Sequence, residues 1–238
     1  MSEKKNQNNS SNLMIWAIAI AAVLVLFNQW QIMQVSSLLS GTSHTSKISA
    51  SLVGNVDLKD VDVSNIQNTA QAIATVFPLK DVKTADDAIK LLIPTGTTSY
   101  GQELGLTYDD PVKSLNTLAR YYNTISKEIK TNNPTLWQRY LNLATKPVGI
   151  SCEYCCGVGP VGITKDGKLS CGCSHNPAIH ALTLYLMKNT DWNDAQVLQE
   201  ALRWKSLWFP KNMIGLAVQI AGGDSSVLNN VPGMVGGC

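Results

Sequence analysis

Ser151-Cys-Glu-Tyr-Cys-Cys-Gly157, followed after a glycine-rich connector by Cys171-Gly-Cys-Ser-His-Asn-Pro177, holds the only concentrated chemistry in the chain. Five of the six cysteines (Cys152, Cys155, Cys156, Cys171, Cys173) and two of the three histidines (His175, His180) fall between Ser151 and Leu186. Cys152 and Cys155 have the two-residue spacing at which a tight turn aims both sulfurs at one ion. Val161 to Ser170 reads as a small β-hairpin turned at Lys165-Asp166-Gly167-Lys168, because Asp-Gly supplies the positive φ that a tight hairpin needs. That ribbon returns Cys171 and Cys173 to the side of the first pair. Asn176 then caps, and Pro177 begins, a helix whose packing face is Ala178, Ala181, Leu182 and Tyr185.

A knuckle, a hairpin and ligands at a helix N-terminus make the layout of a treble-clef zinc site. The departure is the second pair, spaced C-x-C with a histidine two residues on. Tetrahedral Zn²⁺ takes four ligands. Cys152, Cys155, Cys171 and Cys173 are the expected set, with His175 as substitute or outer donor. The surplus of thiols also fits Cu(I) or an iron–sulfur cluster. Cys156 and Cys238 are additional thiols, and two glycines before Cys238 let the tail reach Cys156. Two other readings stand beside the metal site: a set of disulfide staples, and redox thiols in which Cys152 and Cys155 cycle and Cys173 is activated. Free N–H groups at a helix start favour anionic sulfur, which serves a ligand and a nucleophile equally. His180 lies inside the helix and reads as a hydrogen-bonded, partly buried histidine.

On either side of this unit the sequence is helical. Ser64 with Gln67 looks like a capping box for a helix to about Val76, and Thr84 with Asp87 does the same for Ala85–Ile93, stopped by Pro94. Ala50–Val63 has room for one or two short strands, and Thr95–Leu106 is loop. Asp110-Pro111 starts a long amphipathic helix to about Lys130, with Leu115, Leu118, Tyr122, Ile125 and Ile129 on one face. A further helix from Pro134 to about Ala144 carries Leu136, Trp137, Tyr140 and Leu141. Asp191 or Asn193 caps a helix through about Leu207 that contains Trp204 and Trp208 and is ended by Pro210. Met213–Ala221 is one more short helix.

The N-terminal fifth is different. Residues 1–12 are a polar, Asn- and Ser-rich tail with the composition of a disordered segment. Residues 13–33 form an uncharged apolar run of about the 20 residues a bilayer core demands, with Trp16 and Trp30 placed as interface anchors. Its strictly apolar part has signal-peptide length, but no small-x-small cleavage site follows, so a retained signal-anchor is expected. Lys4 and Lys5 set the N-terminus in the cytoplasm and the rest outside. Residues 34–49 are a helical extension and linker, and 50–238 a mainly helical ectodomain with the cysteine unit at 151–189. Net charge is only +2 and 15% of residues are charged, with no basic cluster interleaved with aromatics, which disfavours nucleic acid as a partner. No Ser/His/Asp arrangement and no phosphate-binding loop is present.

The stretch Tyr100-Gly-Gln-Glu-Leu-Gly-Leu-Thr-Tyr-Asp-Asp-Pro111, the two cysteine motifs and the helix His180-Ala-Leu-Thr-Leu-Tyr-Leu186 resemble a group of membrane-anchored proteins from small-genome archaea. The resemblance implies a shared fold and a shared cysteine site across most of the ectodomain, and brings no activity with it. Taken together, the expectation is a single-pass cell-membrane protein, mainly α with a small β-hairpin. Its extracytoplasmic Cys/His module binds a transition metal, Zn²⁺ first, in a structural or metal-handling role. Partners are the bilayer through residues 13–33 and a protein at the cell surface. The alternatives are an extracytoplasmic thiol–disulfide oxidoreductase or a disulfide-stapled scaffold.

Overall fold

The computed structural model describes residues 57–145 and 162–229. The chain divides into two units, Met1–Ser46 and Lys47–Cys238, and every described residue belongs to the second. The expected tail, membrane anchor and linker lie outside the described residues. Cys152, Cys155, Cys156 and Cys238 lie outside them too. Among the described residues no helix is long and apolar enough to cross a membrane.

The second unit is mainly helical, with seven principal helices and no sheet among the described residues. They are α1 (Thr69–Val76), α2 (Ala85–Leu92), α3 (Pro111–Asn132), α4 (Pro134–Ala144), α5 (His175–Asn189), α6 (Asp194–Trp208) and α7 (Pro210–Ala221). A last turn, α8 (Ser226–Asn229), follows. α5 is the centre. Every residue from Ala178 to Met187 is buried, so the helix is enclosed on all sides instead of showing one apolar stripe. It lies most extensively along α3, with α6 and α4 on its other flanks.

Local chemistry fixes most helix ends. Thr84 and Asp87 close a reciprocal capping box at α2, and Asn193 and Gln196 do so at α6. Asp110 accepts from the Lys113 amide and Pro111 occupies the first turn of α3. The five apolar residues expected on the inner face of α3 are all buried. Asn133 ends α3 and caps α4, its side chain accepting from the Leu136 amide.

Four local expectations are corrected. Ser64 does not cap α1: its amide is taken by Asp62 Oδ1, and Asn68 caps by accepting from Gln71 N. Pro210 both ends α6 and opens α7, because Phe209 is the shared boundary residue and a proline fits the first turn of the next helix. No strand forms in the described part of Ala50–Val63, where Leu58–Asp60 is a 3-10 turn capped by Asp57. The hairpin expected over Val161–Ser170 contracts to one antiparallel bridge, Ile163 with Leu169. The turn expected within it does form, closed by Thr164 N to Lys168 O (2.8 Å) and Gly167 N to Thr164 O (2.9 Å).

Candidate functional site: a thiol loop on the central helix

The loop from Gly162 to Ser174 is held at three points. Its tip carries Gly167 at φ +81°, a left-handed backbone. The tip packs so closely on Trp137 of α4 that a β-carbon at 167 would sit 2.5 Å from the indole Cζ2. Glycine is required there twice over. Its base is tied by Ser170 N to Gly162 O (3.0 Å). The third hold is Asn176 in the first turn of α5, whose fully buried amide donates from Nδ2 to Gly162 O (2.7 Å) and to Cys171 O (3.3 Å).

That role displaces the one expected of Asn176. It does not cap α5; the helix begins at His175, and Ser174 stands at the cap position in helical conformation without a side-chain cap bond. Asn176 N reaches Cys173 O (3.2 Å), and Pro177 has no N–H to offer. The positive end of the α5 dipole therefore opens directly onto the thiol loop.

Two sulfurs stand at that end. Cys171 is buried and disulfide-bonded. Cys173 is half-exposed and free. Cys173 Sγ lies 3.4 Å from Cys171 Sγ. A thiol within van der Waals reach of an oxidised sulfur is the arrangement from which exchange starts.

The histidines go to opposite sides of α5. His175 is half-buried, its ring 4.7 Å from Phe209 and 5.9 Å from Trp208, and burial lowers its pKa. His180 is fully buried, with Nδ1 2.9 Å from the Tyr140 hydroxyl, and desolvation pulls its pKa down to about 3. Among the described residues the buried side-chain polar atoms without a hydrogen-bond partner are His175 Nδ1, Asn176 Oδ1 and His180 Nε2. All three sit on the first turns of α5. Buried polar groups are normally paired, so this clustering sets the helix start apart.

Of the expected metal donors, Cys171, Cys173 and His175 are described and Cys152 and Cys155 are not. Among the described residues no three His, Cys, Asp or Glu side chains converge as an ion would require. In the oxidised form Cys171 offers no thiolate.

A second polar centre escaped the sequence reading. Glu200 of α6, only 2% exposed, accepts at Oε1 from the hydroxyls of Tyr100 and Tyr108, both at 2.7 Å. Trp204 Nε1 donates to the Tyr100 hydroxyl at 2.7 Å, and Arg203 Nη1 stands 3.4 Å from Glu200 Oε2. Burial first, and the Glu200 charge second, push both phenols well above the ordinary tyrosine range. The signal was present: Glu200 is a lone acid among Val197, Leu198, Ala201 and Trp204, all buried residues of α6. Elsewhere, a cleft of about 480 Å³ is lined by Lys59, Asp62, Arg139, Trp192 and their neighbours. Arg139 is tied there to Asp194 and to the Trp192 carbonyl, both at 2.7 Å.

No protein-family model matches the chain, and no curated protein or solved structure resembles it.

Proposed function

We propose that this is a membrane-anchored, extracytoplasmic thiol–disulfide exchange protein whose working sulfurs are Cys171 and Cys173. The observation that carries the reading is the reduced Cys173 thiol 3.4 Å from the oxidised Cys171 sulfur at an uncapped helix start. In the internal step the Cys173 thiolate attacks Cys171 Sγ, a Cys171–Cys173 bond forms, and the former partner leaves as a thiolate that takes up the proton. A client disulfide attacked by that thiolate forms a mixed disulfide and releases one client thiolate; a client thiolate attacking the mixed disulfide then restores the protein thiolate and leaves the client with a rearranged disulfide. No sulfur changes its net oxidation state over the cycle, so disulfides are rearranged with no further reagent. The membrane segment at residues 13–33 tethers the ectodomain at the outer face with the N-terminus cytoplasmic, where disulfides persist.

A second reading is favoured by the unpartnered His175 Nδ1 beside the free Cys173. On reduction, Cys171 and Cys173 join Cys152 and Cys155 around Zn²⁺ in a treble-clef-like unit, with His175 as substitute donor and Cu(I) or an iron–sulfur cluster as the other occupants.

The test is rearrangement of a peptide carrying two mispaired disulfides by the purified protein, with elemental analysis of the same sample. The exchange reading expects turnover that Cys173→Ser abolishes, in metal-free protein. Stoichiometric metal, with no turnover, transfers the site to the second reading. No free thiol, no metal and no turnover leaves a stapled scaffold.

A further inference from the structure

The cleft beside the start of α6 has its walls fixed by contacts within the protein. Its anchor is Arg139 of α4, whose Nε donates to Asp194 Oδ1 and whose Nη2 donates to the Trp192 carbonyl, both at 2.7 Å. A guanidinium is planar and carries five N–H groups. Two of them are taken, so the plane is held and three N–H groups are left over. Lys59 lines the same cleft. Its backbone is held there by Asn193 Nδ2, which donates to Leu58 O (2.7 Å) and Lys59 O (3.4 Å). The Lys59 side chain is exposed, and its ammonium makes no ion pair among the described residues.

The acids of the cleft do not use up these donors. Asp194 already answers Arg139, and Asp62 is engaged, its Oδ1 accepting the Ser64 amide at 2.9 Å. Asn142 adds to the surplus: its Oδ1 accepts from Gln138 Nε2 (3.0 Å), which leaves Nδ2 as the uncommitted donor. Apolar surface lies beside them, from Val61 and Trp192, both half-buried against the core. Trp192 is steadied by Tyr100, which meets it edge-on at 5.6 Å. At about 480 Å³ the space exceeds what a simple ion fills and suits a small organic molecule. Open N–H donors next to apolar surface match an acid with an aliphatic body.

We propose that this cleft binds a carboxylate carried on an aliphatic body, the chemistry of an N-acylated amino acid and of a peptide C-terminus. The leftover N–H groups of Arg139 and the Lys59 ammonium receive the carboxylate. Asn142 Nδ2 donates to the neighbouring amide carbonyl, and the aliphatic side chain lies on Val61 and Trp192. A guanidinium meets both oxygens of a carboxylate in one plane, which an ammonium does not. The site is separate from the sulfurs and does not depend on thiol–disulfide exchange.

The full-length protein in a neutral detergent, with Cys173 alkylated, is titrated calorimetrically with N-acetyl-leucine, N-acetyl-leucinamide and leucinamide. These probes share one side chain and carry a negative, a neutral and a positive charge. The acid is expected to bind about ten-fold more tightly than either amide, and less tightly as salt is raised. Lys59→Gln, at an exposed position, should weaken the acid several-fold and leave thermal unfolding unchanged. Arg139→Lys keeps the charge but loses the planar fork, and should weaken the acid about ten-fold. Acetyl-Ala-Ala-Leu separates the two sources of the ligand: tighter binding than N-acetyl-leucine marks a peptide end, and equal binding marks a single acylated residue. An amide that binds as tightly as the acid, or no binding of the acid, overturns the proposal. Binding of the acid that neither substitution weakens lies outside the cleft and overturns it as well.

Discussion

The Glu200 centre and the start of α5 are both buried and polar, and they are finished to different degrees. Around Glu200 each donor meets an acceptor: two phenols and a guanidinium reach the carboxylate, and an indole N–H reaches a phenol oxygen. At the start of α5 three buried polar atoms are without partners, next to one oxidised and one reduced cysteine. A closed network rigidifies; an open one costs stability and is kept where something else uses the open valences. The contrast locates structural tension at the thiol loop and structural order around Glu200.

The largest effect expected concerns pH. His180 has a pKa held by burial at about 3, against roughly 6.5 in an unfolded chain. Between those values the unfolded chain binds the proton and the folded one does not. Stability from this residue is therefore full above about pH 6.5 and declines as pH falls toward 3, by on the order of 5 kcal/mol over the whole window. Urea unfolding from pH 7 to 4 measures it, and His180→Phe should flatten the slope relative to wild type. Equal slopes would mean that acid lability arises elsewhere.

Next comes the Glu200 centre. Glu200→Ala strands two phenolic hydroxyls in the interior, and should cost roughly 3 kcal/mol in chemical denaturation. A loss under about 1 kcal/mol would show that water replaces the carboxylate and that the network is open to solvent. At the thiol loop, Asn176→Ala removes the donor to Gly162 O and Cys171 O. It should cost about 2 kcal/mol and, unlike Glu200→Ala, should speed alkylation of Cys173 by loosening the loop. If both variants change alkylation alike, the two regions are not independent. The smallest effect belongs to a helix cap remote from both: Thr84→Ala should cost about 1 kcal/mol and leave Cys173 reactivity unchanged.

These regions also differ in how far they could be read from residues alone. α3 was legible because Asp110-Pro111 is a self-contained start signal and its five inner residues recur at helical spacing. Thr84 and Asp87 were legible for the same reason: a capping box uses only its own four residues. Asn176 misled because its amide is drawn across the loop to Gly162 O and Cys171 O, and no local pattern announces a partner that folding brings in. Ser64 failed as a cap because the helix starts later, at Thr69, where Asn68 accepts from the Gln71 amide and is itself held by the distant Leu228 carbonyl. The hairpin turn was readable from Asp166-Gly167, but its strands were not. Docking of the tip on Trp137 replaces the ladder that strands would have supplied. Glu200 was hidden by distance, since its tyrosines lie 100 and 92 residues earlier. At the cysteines, the sequence shows how many thiols lie close along the chain, but spacing alone does not assign which sulfur is oxidised; that follows from which segments meet.

The most direct measurement is peptide mapping under non-reducing conditions after rapid alkylation of the native protein. Exchange at the loop predicts Cys173 alkylated, Cys171 in a disulfide, and, when alkylation is slowed, a growing share of Cys171 joined to Cys173. Cys171 and Cys173 both fully alkylated, or Cys173 locked in a disulfide with a cysteine other than Cys171, would contradict it.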